Sequence, residues 1–414
     1  MKKTILLLLI LLLILSLFSC TKPPETTAQT TESNEPAPIT IPDFIEDCGL
    51  DREMIFEDYY FKGGSDLNYR KLNTSEGWTV FSNSVLFGKK VEYDYSNDGY
   101  DDRFVISCFL VDMEETEKNN GIPVLLIAYS VNSGSRTGQY YHSSGGIQYF
   151  NMDTYEIRDI ITDVESRITN MCLYKDTIFF VTEEGTVNKI NKDRTDHKSI
   201  DYKQYTEYIN DFVSVNDGKI YCCNRKATGS GYTDVFRFNL DLTDFEQMAG
   251  KAMWLPYICG ENLYYGKENS SGSITIEGKK YSNLNVYRRK LSDWYNADAE
   301  EKIVLENVCS VTFSEDKVFY YAIDEIANET DERNSLLHAY DLASSEDLGI
   351  IYENNEKDTK KYCSEFYGKY ISGDYLMKHP TSGKYMHDGV TYFSVDLETR
   401  KEKVLEHTWK QLIK

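Results

Sequence analysis

The stretch Lys175 to Asp193, KDTIFFVTEEGTVNKINKD, constrains the fold more than any other, because weaker copies of it run along most of the chain. A polar turn at Lys175 to Thr177 leads into the apolar and aromatic run Ile178 to Val181. A second turn at Glu183 to Gly185 leads into alternating Val187, Lys189 and Ile190, and Asp193 closes the unit. Alternation between turn residues predicts an antiparallel hairpin.

Downstream, Val215 to Cys223 leads to Val235 to Asp241, and Cys259 to Tyr265 leads to Val286 to Ser292. Ser314 to Tyr321 then leads to Leu337 to Asp341, and Ser372 to Met377 to Tyr392 to Asp396. Upstream, Pro123 to Tyr129 pairs with Ile147 to Asp153, and Val85 to Phe87 is matched with Phe109 to Asp112. The closing positions Asp112, Asp153, Asp193, Asp241, Ser292, Asp341 and Asp396 recur at roughly 40 to 55 residues, the length a four-stranded antiparallel blade needs. The expected fold is therefore all-β, a β-propeller of seven four-stranded blades; a β-sandwich or barrel series is the alternative and would not require like units at steady spacing. A strand-like stretch after the closing residue, such as Tyr155 to Ile161, supplies the outer strand. The closing Asp is expected to cap the turn between the last two strands. With 33 Tyr and 14% aromatic residues, the composition favours strands.

The repeat pattern, a D-x-IYY turn-strand followed by an alternating strand ending in Asp, resembles lipid-anchored propellers of anaerobic Gram-positive bacteria, in the broad class of DUF5050-like and YWTD-like propellers. The resemblance covers roughly Leu173 to His407. It implies a fold and brings no catalytic residues.

The N-terminus carries an address. Lys2 and Lys3 precede an apolar run from Ile5 to Phe18 that is short for a membrane span and suits a cleaved signal peptide. Leu17-Phe18-Ser19-Cys20 resembles the lipobox of bacterial lipoproteins, which implies that Cys20 is diacylated, with palmitate-type chains, and becomes the mature N-terminus. The expected organisation is a signal peptide over 1–19 and a lipidated Cys20 with a disordered Thr-, Pro- and Glu-rich linker over 20–42. A segment over 43–76 follows, acting as a cap or a closing strand, and the propeller occupies 77–414. The expected location is the extracytoplasmic face of the cell membrane, with the lipid bilayer as a partner through Cys20.

A formal net charge of -22 repels phosphate backbones, so nucleic acid is not an expected partner. No Cys or His spacing suggests zinc, and the cysteines beyond Cys20 read as buried free thiols. A redox role for the adjacent Cys222 and Cys223 is a remote alternative.

Two candidate sites emerge. The connection between second and third strands is short in the opening copy but enlarged at Ser130 to Gly146, Asn224 to Thr233, Lys267 to Ser282, Asp324 to Asn334 and His379 to Gly389. Equivalent connections of a propeller share one rim, so these build a loop-rich binding face. It holds Arg136, Tyr140, Tyr141, His142, Arg225, Tyr232, Tyr281, His379, Tyr385 and His387, residue types suited to stacking on a glycan or peptide. The second is Asp94-Tyr95-Ser96-Asn97-Asp98-Gly99-Tyr100-Asp101-Asp102, oxygen donors at alternate positions around a glycine turn. Its order resembles the calcium loop of FG-GAP propeller repeats, which implies side-chain oxygens from Asp94, Ser96, Asp98 and Asp102, the Tyr100 carbonyl, and a structural calcium ion.

Enzyme signatures are thin: no G-x-S-x-G elbow, no HExxH and no phosphate loop. The expectation is a non-catalytic, membrane-anchored lipoprotein that binds a glycan, peptide or protein ligand. The alternatives are an extracytoplasmic carbohydrate-active hydrolase or lyase, and a surface assembly scaffold.

Overall fold

Short runs of aromatic and β-branched residues between Asp, Asn and Gly turns produce antiparallel sheets throughout. The computed structural model describes residues 52–87, 100–135, 140–203, 211–224, 233–250, 254–276, 279–314, 316–327, 336–353, 359–367, 370–378, 385–386 and 392–404, apart from 65, 73, 398 and 400. The first sheet is β1 (Arg52–Phe56), β2 (Tyr59–Gly63), β3 (Leu67–Lys71) and β4 (Thr79–Phe81), paired in sequence order. A short helix α1 (Asn83–Phe87) follows.

The second sheet is β5 (Tyr100–Val111), β6 (Val124–Ser135), β7 (Tyr140–Asn151) and β8 (Ile157–Val164), with helix α2 (Met113–Lys118) between its first two strands. The third is β9 (Ile168–Tyr174), β10 (Thr177–Thr182), β11 (Thr186–Asn191) and β12 (Lys198–Asp201). The fourth is β13 (Asp211–Asn216), β14 (Lys219–Asn224), β15 (Asp234–Asn239) and β16 (Glu246–Gln247). Its first turn, Asp217-Gly218, has φ of 48° and 69°, the two left-handed residues that a tight hairpin with matching twist requires.

A seven-stranded sheet comes next: β17 (Trp254–Cys259), β18 (Asn262–Ile276), β19 (Lys279–Lys290), β20 (Lys302–Ser314), β21 (Lys317–Ala322), β22 (Leu336–Asp341) and β23 (Glu346–Glu353), with helix α3 (Ile323–Ala327) after β21. It is two four-stranded units sharing β20. Residues 302 to 308 of β20 pair with β19, and 308 to 314 pair with β21. The last sheet holds β24 (Thr359–Tyr367), β25 (Tyr370–Lys378), β27 (Tyr392–Asp396) and β28 (Glu402–Val404), with β26 (Tyr385–Met386) added on β25.

Buried clusters join successive units. Phe61 and Phe81 of the first sheet pack with Phe109 and Phe150 of the second, and one large core runs through the second, third and fourth. Tyr221 and Val235 pack with Ile258 and Tyr265, Tyr264 with Val318, and Leu337 with Ile371. The first strands of the units neighbour one another in succession, β1 beside β5, β5 beside β9, β9 beside β13, β13 beside β17, β17 beside β20 and β20 beside β24, and β24 also neighbours β1. Lys403 of β28 donates to the carbonyls of Lys71 (2.9 Å) and Thr74 (3.1 Å) in the first sheet.

The closing carboxylates do cap their turns at four repeats. Asp193 accepts from Thr195 N–H at 2.9 Å, Asp241 from Thr243 N–H at 3.1 Å, Asp341 from Ser344 N–H at 2.7 Å and Asp396 from Thr399 N–H at 2.9 Å. The hydrogen bonds from Thr195 and Thr243 hold the Asp193 and Asp241 carboxyls below the usual carboxylate range. Elsewhere the expectation needs correcting. In the second sheet Asn151, and not Asp153, accepts from the turn amides (2.9 and 3.1 Å), Ser292 sits in a short 3₁₀ turn, and Asp112 caps α2 through Glu115 N–H (3.2 Å).

Val85 to Phe87, expected as the opening strand of a unit, belong to α1, and Phe109 lies on a first strand. Three apolar residues carry no period, so strand and helix could not be told apart there. Among the described residues, Cys108, Cys172, Cys222, Cys223, Cys259 and Cys309 are buried. Cys222 packs into the core shared with the third sheet and Cys223 into the one shared with β18, so strand alternation sends the adjacent thiols to opposite faces. Among the described residues no helix is long and apolar enough to cross a membrane.

Candidate functional site

Every enlarged connection named from the sequence joins the second and third strands of its unit: β6 to β7, β14 to β15, β18 to β19, β21 to β22 and β25 to β27. Two of them are not loops. The β6–β7 ladder continues out to Gly134 opposite Tyr140, and the β18–β19 ladder to Ile276 opposite Lys279, so both are hairpin arms. Their sequences, SVNSGS and ENSSGSITI, read as loops because small and polar residues fall on both faces, and alternation then carries no signal. Tyr385 likewise pairs with Lys378 as an added strand.

The sequence-selected residues divide accordingly. Tyr140, Tyr141 and His142 lie on β7, Tyr281 on β19 opposite Ile274, and Tyr385 on β26. Cys20, Arg136, Arg225, Tyr232, His379 and His387 lie outside the described residues, as do Asp94, Ser96 and Asp98. Tyr100 and Asp102 lie in β5, opposite Ser135 and Ser133, rather than in a turn. Tyr100 to Arg103 run straight into the apolar part of β5, Phe104 to Val111, and the long β6 arm extends the pairing back to Tyr100.

The roots of the arms are polar, and the sequence did not single them out. At the base of β6 the buried hydroxyls of Ser107 and Ser130 share a hydrogen bond. Beside them Tyr129 crosses Gly146, where an added Cβ would strike the tyrosine hydroxyl and lie 2.7 Å from the Ile161 carbonyl. Burial, aided by Asp159 and Asp163, raises the Tyr129 pKa, so this phenol stays protonated. At the base of β18, Glu301 accepts from both Lys267 and the Tyr265 hydroxyl, and the Lys267 ammonium lies 4.9 Å from the Tyr287 ring centroid.

An amide network stitches the β18–β19 arm to β20. Asn269 donates to Asn285 (3.2 Å) and Asn307 (2.8 Å), and Asn307 N–H donates to Asn285 (3.1 Å). Asn307 has φ of 56°, the left-handed conformation in which β20 changes partners. At the start of the β21–β22 connection, Glu325 of α3 lies 2.7 Å from the His338 ring nitrogen, and that ring stacks on Tyr320 at 5.3 Å. Burial, then Asp347, pushes the Tyr320 hydroxyl up to about 12.

In six of the first-to-second strand pairings the register also shifts, at Ser107, Thr169, Val213, Leu255 to Pro256, Ser310 to Val311 and Ser364. Bulges of this kind bend and twist a strand locally. Among the described residues, no group of three or more His, Cys, Asp or Glu is placed to hold a metal ion.

Residues 68–284 match the family described as Domain of unknown function (DUF5074), which is more than half of the chain. The chain belongs to the DUF5074 family. The DUF5074 match begins within β3 and ends within β19, so it takes in the second, third and fourth sheets whole and the root of the β6–β7 arm. No curated protein matches the chain.

Among solved structures, the chain is similar to a prolyl endopeptidase, at 11% identity and a TM-score of 0.45, over 85% of this chain and 47% of that one. It is also similar to the acylaminoacyl peptidase of Pyrococcus horikoshii, at 11% identity and 0.43, over 86% and 52%. A third is BamB from Moraxella catarrhalis, at 10% identity and 0.38, over 86% and 98%. The chain thus spans about half the length of the two peptidases.

Proposed function

We propose that this DUF5074 protein is a lipid-anchored, extracytoplasmic β-propeller of seven four-stranded blades that binds a glycan, peptide or protein ligand without transforming it. The anchor reading rests on the basic, apolar and Ser19-Cys20 order of the N-terminus. The propeller reading is supported by the succession of neighbouring first strands, which returns from β24 to β1, and by the Lys403 contacts between the last strand and the first sheet. The N-terminal sheet then counts as one blade, and the seven-stranded sheet as two.

One observation carries the binding reading: all five enlarged connections occupy the same topological position, between second and third strands. In a repeat fold that position comes out on one rim, so arms and connections together form a surface. Tyrosines on the arms supply flat, amphipathic contact area at low entropic cost.

The test is a glycan and peptide array probed with the protein, with and without calcium. The expected outcome is binding that falls at least about tenfold, roughly 1.4 kcal/mol, in Tyr140→Ala or Tyr385→Ala. Binding that survives both substitutions would exclude this face.

A further inference from the structure

The outer end of the first sheet brings an open aromatic ring and basic groups to one corner. Ile55 of β1 pairs with Tyr60 of β2, and Tyr60 with Arg70 of β3, so all three lie on one face. Trp78, just before β4, joins that face: its ring centroid lies 5.3 Å from that of Tyr60 and 5.0 Å from the Arg70 guanidinium carbon. Burial falls away along the row. Ile55 and Tyr60 are buried, whereas Trp78 is 37% exposed and Val80, two positions on, is 53% exposed.

The other face of this sheet, with Phe61 and Phe81, packs on the second sheet, which leaves the Trp78 face for the junction with the last. There Lys403 of β28 donates to the carbonyls of Lys71 and Thr74. A lysine ammonium has three N–H donors. Two are used on carbonyls, and among the described residues no carboxylate pairs with Lys403. Burial, then the charge of Arg70, lowers its pKa, and the exposed Glu76 offsets only part of this. Two cations held near each other repel, and an anion placed between them would reverse the sign of that energy.

We propose that the corner formed by Trp78, Arg70 and Lys403 binds the carboxylate-bearing unit of an acidic glycan, a hexuronate. The indole supplies a broad, flat, amphipathic surface for the sugar ring. The ammonium and guanidinium supply charge-assisted hydrogen bonding and attraction for the carboxylate. A formal net charge of -22 holds the molecule as a whole off an anionic bilayer or a polyphosphate chain. A lone basic corner on such a surface suits a single charged sugar better than an extended one.

This corner is separate from the ligand face proposed above. Successive connections of an antiparallel sheet leave from opposite ends of its strands, so the β3–β4 connection opens away from the rim that carries the second-to-third connections. The two readings therefore fail independently.

Isothermal titration of the full-length protein with tetragalacturonate, in the presence of a chelator and at low ionic strength, tests this. The expected result is saturable binding that weakens as salt is raised. The methyl-esterified tetramer keeps the rings without the charge, and inorganic phosphate keeps a charge without a ring. Each should bind at least about tenfold more weakly than tetragalacturonate. Trp78→Ala, Arg70→Gln and Lys403→Gln should each lose at least about tenfold in affinity for it. Tyr295→Ala, at an exposed ring after β19, should bind as the unaltered protein does. Lys403 also joins two sheets, so thermal melts by circular dichroism accompany each variant, and Trp78→Ala with Arg70→Gln decides the matter if Lys403→Gln unfolds. No binding of tetragalacturonate, or undiminished binding by Trp78→Ala, would overturn the proposal. Equal binding of the ester would overturn the role given to the cations, and equal binding of phosphate the role given to the ring. An equal loss in Tyr295→Ala would overturn the location. Cosedimentation with phosphatidylglycerol vesicles that disappears in Trp78→Ala would assign the corner to a lipid surface instead.

Discussion

The most consequential single side chain is Asp112. Its carboxylate is fully buried, caps α2, and accepts from the Lys192 ammonium of the neighbouring sheet at 2.8 Å, while Lys192 also reaches Asp176 at 3.3 Å. Burial works against the Lys192 charge, but the hydrogen bonds and charges of Asp112 and Asp176 together raise its pKa above lysine's ordinary value. Asp112→Ala would leave that ammonium, its own side chain largely buried, with only the exposed Asp176 carboxylate and would uncap the helix. The expected cost is about 3–5 kcal/mol, read as a lower urea midpoint at unchanged slope.

The turn carboxylates behave differently. Asp193 and Asp241 have depressed pKa values in the folded state, so their contribution is present above the ordinary carboxylate range and lost as pH falls through the lower folded value. The stability gap between the unaltered protein and Asp193→Asn should be constant above about pH 5 and close below about pH 4, measured by thermal melts across that interval.

At the level of strands and turns, β20 shows how one segment serves two units. The chain turns at Asn307 through a left-handed residue held by the Asn285 side chain. A β-branched residue tolerates that conformation badly, so Asn307→Val is expected to cost about 1–2 kcal/mol in chemical denaturation. Gly146→Ala should cost about 1–3 kcal/mol in the same assay, because its methyl would press on the Ile161 carbonyl and the Tyr129 hydroxyl.

These elements also mark what the sequence could convey. Alternation and Asp-Gly turns located β10, β11, β14, β15, β21 and β22, where one register of side chains is apolar and turn chemistry is explicit. The arms escaped because Ser, Gly and Asn fill both faces of them. The N-terminal sheet escaped because its strands are short, and Val85 to Phe87 offered an apolar triplet of either kind. For the candidate face, the sequence selected Tyr140 and Tyr281 but placed them in loops, since ladder register is fixed by the arm's pairing and not by local sequence. The glutamate beneath Lys267 and the His338–Glu325 pair lay outside any motif, as contacts between distant strands do.

For the whole molecule, the junction of the last and first sheets differs from the one between the two units that share β20. Among the described residues no strand is exchanged there; Lys403 reaches across to two backbone carbonyls instead. Burial and the nearby Arg70 lower the Lys403 pKa, so the contact forms at an electrostatic cost. Lys403→Ala should speed amide exchange in β3, β4 and β28 while leaving β9 to β11 protected, as read by hydrogen-exchange mass spectrometry. Equal protection in both proteins would show that the lysine joins nothing.

The strand shared by two units has a further bearing on how such a chain can be inherited. Elsewhere a gene could lose one repeat cleanly, because each sheet owns all its strands. An in-frame deletion ending inside Lys302 to Ser314 would instead deprive the surviving neighbour of its outermost or innermost member. Those two repeats must be gained, lost or recombined as one block, and viable shortened relatives should carry breakpoints on either side of it and none within.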